Sequence, residues 1–157
     1  MNNLEPINQI KLYGLGAYLN ELIRLYKNKI YPNKILLSGQ KGIGKSTLAF
    51  HFINYVLTLN ENFKYDIQNL NINIESSEFK TIQNKSNTNL ILIDANAEKK
   101  TIDIDQIRQL IINLNKSCFN QKPRFVLIDN IELLNINSVN SLLKIFEEPN
   151  DNIYFVL

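Results

Sequence analysis

Short apolar runs alternate with segments of helical periodicity along most of the chain. The apolar runs predict buried strands over residues 34–38, 90–94, 124–129 and 153–157. Between them, apolar residues recur every three or four positions and predict helices over 15–28, 47–57, 104–114 and the segment before Pro149. Strands that alternate with helices usually pair in parallel and are covered on both faces. The pattern therefore predicts an α/β fold with a parallel sheet flanked by helices.

Two of the predicted helices carry signals for their ends. Asp103 followed by Gln106 fits a capping box at the start of one helix. Asn135 or Asn137 can cap the last helix, and Pro149 stops it. The apolar residues of this last helix that we expect to point inward are Val139, Leu142, Leu143 and Phe146.

Composition is that of a soluble globular protein, and the length of 157 residues predicts one domain over 1–157. A net charge of +2 is too mild to indicate a nucleic-acid surface by itself. The first 13 residues form no apolar leader and no apolar run has membrane-spanning length, so we expect a cytoplasmic protein without membrane contact. Residues 60–89 are rich in Asn, Ser and Lys and predict a partly irregular insertion with a short helix or strand.

The rare residues with catalytic or metal-binding potential have plain interpretations. Cys118 is the only cysteine, so it forms neither an intrachain disulfide nor a four-cysteine zinc site, and we expect a spectator thiol. His51 is the only histidine and falls inside the predicted helix 47–57. We expect it to serve packing and not catalysis.

Residues 39–46 match the P-loop pattern G-x-x-x-x-G-K-[ST]. The context fits, because a strand precedes the motif and a helix follows it. Glycines let the loop turn so that its N–H groups converge on phosphate oxygens at a helix N-terminus. The predicted nucleotide-binding residues are Gly39, Gln40, Lys41, Gly42, Ile43, Gly44, Lys45, Ser46 and Thr47. Within this set, the Lys45 ammonium would reach the β- and γ-phosphates of ATP, and the Ser46 hydroxyl would hold Mg²⁺.

A second motif lies at the end of the strand over 124–129. Asp129 is a candidate Walker B acid, which can orient a water on the Mg²⁺ held by Ser46. An active ATPase usually needs a second acid to position the attacking water. The next residue here is Asn130, a neutral amide, and Glu132 follows two positions later. ATP or ADP binding is therefore better supported than hydrolysis, and we assign no catalytic residue.

Residues 124–135, then 140–149 with the pattern N-x-L-L-K-x-x-E-E-P, resemble bacterial clamp-loader subunits of the AAA+ class. Residues 100–110 look like the helix that precedes Walker B in this family. The resemblance covers about 15–157 and is weakest over 60–89. It implies a P-loop NTPase with sheet order 5-1-4-3-2. It also implies gamma/tau and delta subunits, the sliding clamp and primed DNA as partners in clamp loading during replication.

Three departures from the family pattern refine this expectation. The motor subunits of the family carry an acidic pair where this chain has Asp129 and Asn130, so the resemblance favours a non-motor subunit, a largely rigid partner of the motors. They also carry a zinc-binding cysteine cluster after the P-loop helix, which this chain lacks, so we expect no zinc. The family pattern continues past the fourth core strand into an arginine-finger motif, a lid and a collar. We therefore expect an AAA+ domain truncated after that strand, with weaker nucleotide binding and without assembly.

Other interpretations stay open from sequence. A free-standing P-loop enzyme of another class is one alternative, although the expected GTPase motif N-K-x-D lacks its Asp at both 84–87 and 115–118. An ABC ATPase should carry its signature motif between the two Walker motifs. Residues 37–40 resemble that signature, but we discount them because they are part of the P-loop itself. A non-functional remnant of a longer gene is the other alternative.

Overall fold

The computed structural model describes residues 4–95, 100–116, 120–147 and 152–157. In these ranges the strands are β1 (Lys34–Ile35), β2 (Leu90–Ile93), β3 (Arg124–Ile128) and β4 (Ile153–Val156). The α-helices are α1 (Gly16–Lys27), α2 (Lys45–Leu57), α3 (Ser77–Gln83), α4 (Ile104–Leu114) and α5 (Ile136–Glu147). Two short 3-10 helices lie at Pro6–Asn8 and Ile131–Leu133.

The chain forms two compact units. The first comprises Met1–Pro32 and Leu37–Asn87, and the second comprises Asn33–Leu36 and Thr88–Leu157. The first unit therefore holds α1, α2 and α3, and the second holds the four strands with α4 and α5.

The sheet of the second unit has the order β1-β4-β3-β2, and all three neighbouring pairs are parallel. This confirms the predicted parallel α/β fold, and the order agrees with the 1-4-3-2 part of the AAA+ arrangement. The first strand is shorter than the predicted 34–38, because only Lys34 and Ile35 pair with β4. Leu36, directly after them, lies outside the strand and is 64% exposed.

The core of the second unit lies between the sheet and helices α4 and α5. Its buried members are Ile93, Ile102, Ile107, Leu110, Leu114, Val126, Ile128, Leu142, Ile153 and Phe155. Helix α4 begins with the predicted capping box, in which the Gln106 side chain accepts a hydrogen bond from the Asp103 N–H at 2.9 Å. Removal of about ten apolar side chains from water is the main stabilisation of this unit.

Helix α5 is capped by Asn135, one of the two predicted candidates, whose Oδ1 accepts a hydrogen bond from the Ser138 N–H at 2.8 Å. Leu142 points inward as predicted, but Leu143 is 49% exposed, so its predicted inward position is wrong. Ser138 is buried instead, and the Ser138 hydroxyl donates a hydrogen bond to the Ile102 carbonyl at 3.1 Å. That hydrogen bond and Leu142 set the rotation of the helix. The predicted stop at Pro149 lies outside the described residues.

Helix α2 is the centre of the first unit. Every residue from Leu48 to Leu57 is buried, as expected for a helix that is apolar on nearly all sides. Helix α1, the first 3-10 helix and α3 pack around it. The Tyr31 ring stacks on the Phe52 ring with centroids 4.9 Å apart. Residues 60–89 contain α3, so the short element that was predicted there as a helix or strand is a helix.

His51, on α2, is fully buried and joins three segments of the first unit. Its Nε2 donates to the Gln9 carbonyl at 3.0 Å, and its Nδ1 accepts from the Tyr65 hydroxyl at 2.8 Å. This assignment follows because a carbonyl oxygen can only accept. Burial lowers the pKa of His51 to about 4, since the charged ring would lose its hydration. The packing role predicted for His51 is confirmed.

We expect this histidine to make stability depend on pH. The unfolded chain has an ordinary histidine pKa of about 6.5 and so binds a proton more readily than the folded chain. The free energy of unfolding should therefore be level above about pH 7 and should fall between about pH 6.5 and 4, by up to about 1.4 kcal/mol per pH unit. Chemical denaturation across this range measures the slope.

His51→Gln, which cannot titrate, should remove this part of the slope, whereas Tyr65→Phe should retain it. Because the chain has one histidine, an NMR titration of its ring protons reports this residue alone. A ring that titrates near pH 6.5 in the folded protein would contradict the assignment.

Candidate nucleotide-binding site

The glycine loop over 39–46 leads directly into α2. Gly42 and Gly44 have φ angles of 83° and 97°, in the left-handed region that residues with a Cβ seldom adopt. Gly44 is the N-cap residue of α2. A Cβ added there would lie 3.2 Å from Leu15 Cδ1, so both the dihedral angle and the space around this position favour glycine.

The first turn of α2 has the properties of an anion site. No side chain caps it, so its N–H groups remain available to a ligand, and the helix dipole favours a negative charge there. Ser46 and Thr47 lie half-buried in this turn, while residues 39–43 are exposed. These residues fit a phosphate group.

Lys45 is the first residue of α2, and its side chain reaches back over the loop. The ammonium donates to the Gly39 carbonyl at 2.9 Å and to the Gln40 carbonyl at 3.2 Å. Its charge is therefore held beside the same glycine loop whose N–H groups can receive a phosphate. The predicted residues 39–47 thus form one continuous segment of the first unit.

In the second unit, Asp129 directly follows β3, and its N–H donates to the Ile93 carbonyl on β2 at 2.8 Å. Asn130 adopts the left-handed conformation, with φ 58° and ψ 51°. The Asn130 side-chain amide donates to Asp94 Oδ1 at 3.1 Å. Glu132, the next acid along the chain after Asn130, lies exposed in the second 3-10 helix. The acid that contacts Asn130 is Asp94.

Asp94 was not among the predicted site residues. The signal was nevertheless present, because β2 is an apolar run that ends in an acid, as β3 is. Asp94 is exposed, and its Oδ1 also accepts from the Ala95 N–H at 2.6 Å. Gln106 Nε2 donates to the Asp94 carbonyl at 2.9 Å, which ties the start of α4 to the end of β2.

Metal ligation in this chain would rest on few side chains. Within 4–95, 100–116, 120–147 and 152–157, no group of three or more His, Cys, Asp or Glu residues is placed to hold a metal ion. Mg²⁺ at nucleotide sites is usually held by one or two protein oxygens together with phosphates and water, and hydroxyl and carboxylate oxygens suit it. Ser46 and Asp129 offer oxygens of these types.

No described helix is long and apolar enough to cross a membrane.

The four parallel strands in the order β1-β4-β3-β2, together with the helices, define an α/β fold in which the glycine loop links the first strand to α2 in sequence. A crystal structure of a DNA polymerase III gamma subunit-related protein from Thermotoga maritima shares this fold. It has a TM-score of 0.58 and 21% identity, over 88% of this chain and 38% of that one. The profile of the family described as DNA polymerase III, delta subunit, matches residues 15–157. The chain belongs to this family, which confirms the resemblance to bacterial clamp-loader subunits.

Curated relatives include both delta-prime and gamma/tau subunits of DNA polymerase III. The delta-prime subunit of DNA polymerase III from Buchnera aphidicola subsp. Schizaphis graminum is 27% identical, over 87% of this chain and 40% of that protein. The delta-prime subunit from Buchnera aphidicola subsp. Baizongia pistaciae is 31% identical, over 84% of this chain and 41% of that protein. A gamma/tau subunit from Mycoplasma genitalium is 26% identical, over 96% of this chain and 24% of that protein. The chain thus spans about 40% of the delta-prime relatives' length.

We expect Gly44→Ala to destabilise the chain more than Gly14→Ala. Both glycines have positive φ angles, so both substitutions carry a backbone cost of about 1–2 kcal/mol. A Cβ at Gly14 meets nothing within 4 Å, whereas the one at Gly44 presses on Leu15. Free energies of unfolding from chemical denaturation provide the comparison. Equal losses for the two variants would mean that the Leu15 contact does not constrain the loop.

Proposed function

We propose that this chain binds MgATP or MgADP as part of a delta-prime-type subunit of the DNA polymerase III clamp loader, within one AAA+ ATP-binding domain. The observation that carries the proposal is the first turn of α2, which has no side-chain cap, follows a glycine loop and has the Lys45 ammonium beside it. This arrangement supports phosphate binding, and membership of the family supports a role in the clamp loader.

The proposed roles follow the chemistry of each group. The backbone N–H groups of residues 39–47 receive the phosphates, and the Lys45 ammonium exchanges its loop carbonyls for phosphate oxygens. The Ser46 hydroxyl and the Asp129 carboxylate are proposed as Mg²⁺ ligands on the strength of their motifs. Bound Mg²⁺ would neutralise part of the phosphate charge.

Binding without appreciable hydrolysis is the activity that we propose. Asn130 stands where a catalytic acid is expected, and an amide can hydrogen-bond a water but cannot take its proton at neutral pH. A subunit of this kind would contribute a nucleotide-bound, largely rigid domain to the assembly. Its partners would be gamma/tau and delta subunits, with the sliding clamp and primed DNA reached through the complex.

We expect Lys45→Ala to weaken ATP or ADP binding at least about tenfold, which corresponds to about 1.4 kcal/mol for one lost charge-assisted contact. Lys41→Ala is the matched control, because it removes the same charge from an exposed position of the same loop and keeps the backbone N–H. The control should change affinity by less than about threefold. Titration with a fluorescent nucleotide in the presence of Mg²⁺ measures both. Equal binding by the unmodified chain and Lys45→Ala, or none by either, would refute nucleotide binding through this loop.

Phosphate release from ATP should be no faster for the unmodified chain than for Lys45→Ala purified in the same way. The Lys45→Ala preparation sets the background from contaminating ATPases, which is the main source of error for a very slow enzyme. A turnover clearly above that background would show that Asn130 does not prevent hydrolysis and would place the chain with the motor subunits.

A further inference from the structure

The backbone of Leu70 has a conformation that leucine rarely adopts. Its φ angle is 54°, in the left-handed region, where a residue with a bulky side chain is strained. Leu70 lies in a tight turn that is closed by two backbone hydrogen bonds between Asp66 and Asn71, at 2.9 and 3.0 Å. Glycine or asparagine would fill position 70 with less strain. The turn itself therefore does not explain the leucine.

The contacts of Leu70 are with the segment that leads into α1. The Leu70 carbonyl accepts a hydrogen bond from the Leu12 N–H at 3.0 Å. The Leu70 side chain covers Gly16, the first residue of α1, so closely that a Cβ built on Gly16 would lie 2.8 Å from Leu70 Cδ1. The backbone and the side chain of Leu70 thus both hold residues 12–16.

The same segment contacts the glycine loop. Leu15 is the N-cap residue of α1, and Gly44 is the N-cap residue of α2. Leu15 Cδ1 lies so near Gly44 that a Cβ built there would be 3.2 Å from it. The contact of Leu70 with Gly16 and that of Leu15 with Gly44 therefore link the turn over 66–71 to the glycine loop. All of these residues belong to the first unit.

We propose that Leu70 is a positioning residue for the nucleotide-binding loop. Its side chain holds residues 12–16 so that Leu15 stays against Gly44, and the strained backbone at position 70 is retained because it places that side chain. The inference rests on the proposed nucleotide binding for its effect on affinity. Its effect on the order of the loop needs no ligand.

The physical reason is preorganisation. Affinity falls when the binding-competent conformation of a loop is only partly populated, because ordering the loop then opposes binding. Gly44 has a φ angle of 97° and no side chain to restrict it, so contact with Leu15 limits the conformations that it can adopt. Removing the Leu70 side chain releases the segment that carries Leu15 and also relieves the strain at position 70. The expected signature is weaker nucleotide binding without a matching loss of stability.

Amide hydrogen exchange tests the positioning without nucleotide. The Leu48 N–H donates to the Gly44 carbonyl at 2.9 Å, so its exchange rate reports how firmly Gly44 is held. Leu70→Gly should speed exchange at Leu48 at least about threefold, whereas Leu57, at the other end of α2, should keep its rate. Lys85→Gly is the matched control, because Lys85 also has a left-handed backbone, with φ 56°, and is exposed after α3. Unchanged exchange at Leu48, or equal changes in the two variants, would overturn the proposal.

Nucleotide titration and thermal melting test the functional half. Leu70→Gly should weaken ATP or ADP binding about three- to tenfold. It should change Tm by less than about 2 °C, since relief of strain offsets the lost side-chain contacts. Lys85→Gly should keep affinity within about twofold at about 0.15 M salt, where an exposed charge is screened. Unchanged affinity in Leu70→Gly together with a clear fall in Tm would show that Leu70 only packs, and the inference would fail.

A reciprocal pair of substitutions tests the contact itself. Gly16→Ala adds a methyl group that must displace Leu70 Cδ1, so it should weaken nucleotide binding and speed exchange at Leu48. In the Leu70→Gly background the same methyl group meets no δ-carbon, and adding Gly16→Ala should then have a much smaller effect. Full additivity of the two substitutions would show that the residues do not act through one contact.

The two kinds of measurement keep the proposals separate. If the unmodified chain binds no nucleotide, the proposed function fails, while exchange at Leu48 still decides whether Leu70 positions the loop. If the unmodified chain and Leu70→Gly bind nucleotide equally well, the proposed function stands and the positioning role of Leu70 fails.

Discussion

Burial of helix α2 is the constraint on which the candidate site depends. Ten consecutive residues of this helix, from Leu48 to Leu57, are shielded from water, so it cannot shift without exposing apolar surface. Within the unit, the Asn54 amide nitrogen donates to the Phe50 carbonyl, and the hydroxyl of Thr58, the residue directly after the helix, donates to the Asn54 carbonyl. The N-terminal turn, which is left uncapped, is thereby held at one place behind the glycine loop. A rigid helix with an available N-terminus is what phosphate binding requires of a scaffold.

Strand β3 has the corresponding role in the second unit. It pairs with β4 on one side and β2 on the other, and four of its five residues are buried. Its parallel register with β2 places Asp94, Asp129 and Asn130 at the carboxyl ends of neighbouring strands. In open α/β sheets this edge is where ligands bind. The hydrogen bond from Gln106 to the Asp94 carbonyl then holds the end of β2 against the start of α4.

The proposed nucleotide binding rests on features of the first unit, and the proposed lack of turnover rests on features of the second. The loop glycines, Lys45 and Ser46 match the binding half of a P-loop NTPase. At the strand ends of the second unit, Asn130 follows Asp129, and its side-chain amide donates a hydrogen bond to Asp94.

The sequence by itself determined the features that depend on local periodicity and local chemistry. The four strands, the helices, the capping box at Asp103 and the positive φ angles at Gly42 and Gly44 follow from residues within a few positions of one another. Family membership was also readable from the motif around residues 124–149. The tertiary structure alone decided which face of helix α5 points inward. Ser138 is buried, with its hydroxyl hydrogen-bonded to the Ile102 carbonyl, whereas Leu143 is exposed. The tertiary structure alone also joined Asp94 to Asn130, and His51 to Gln9 and Tyr65, because those contacts depend on strand register and packing between segments distant in sequence.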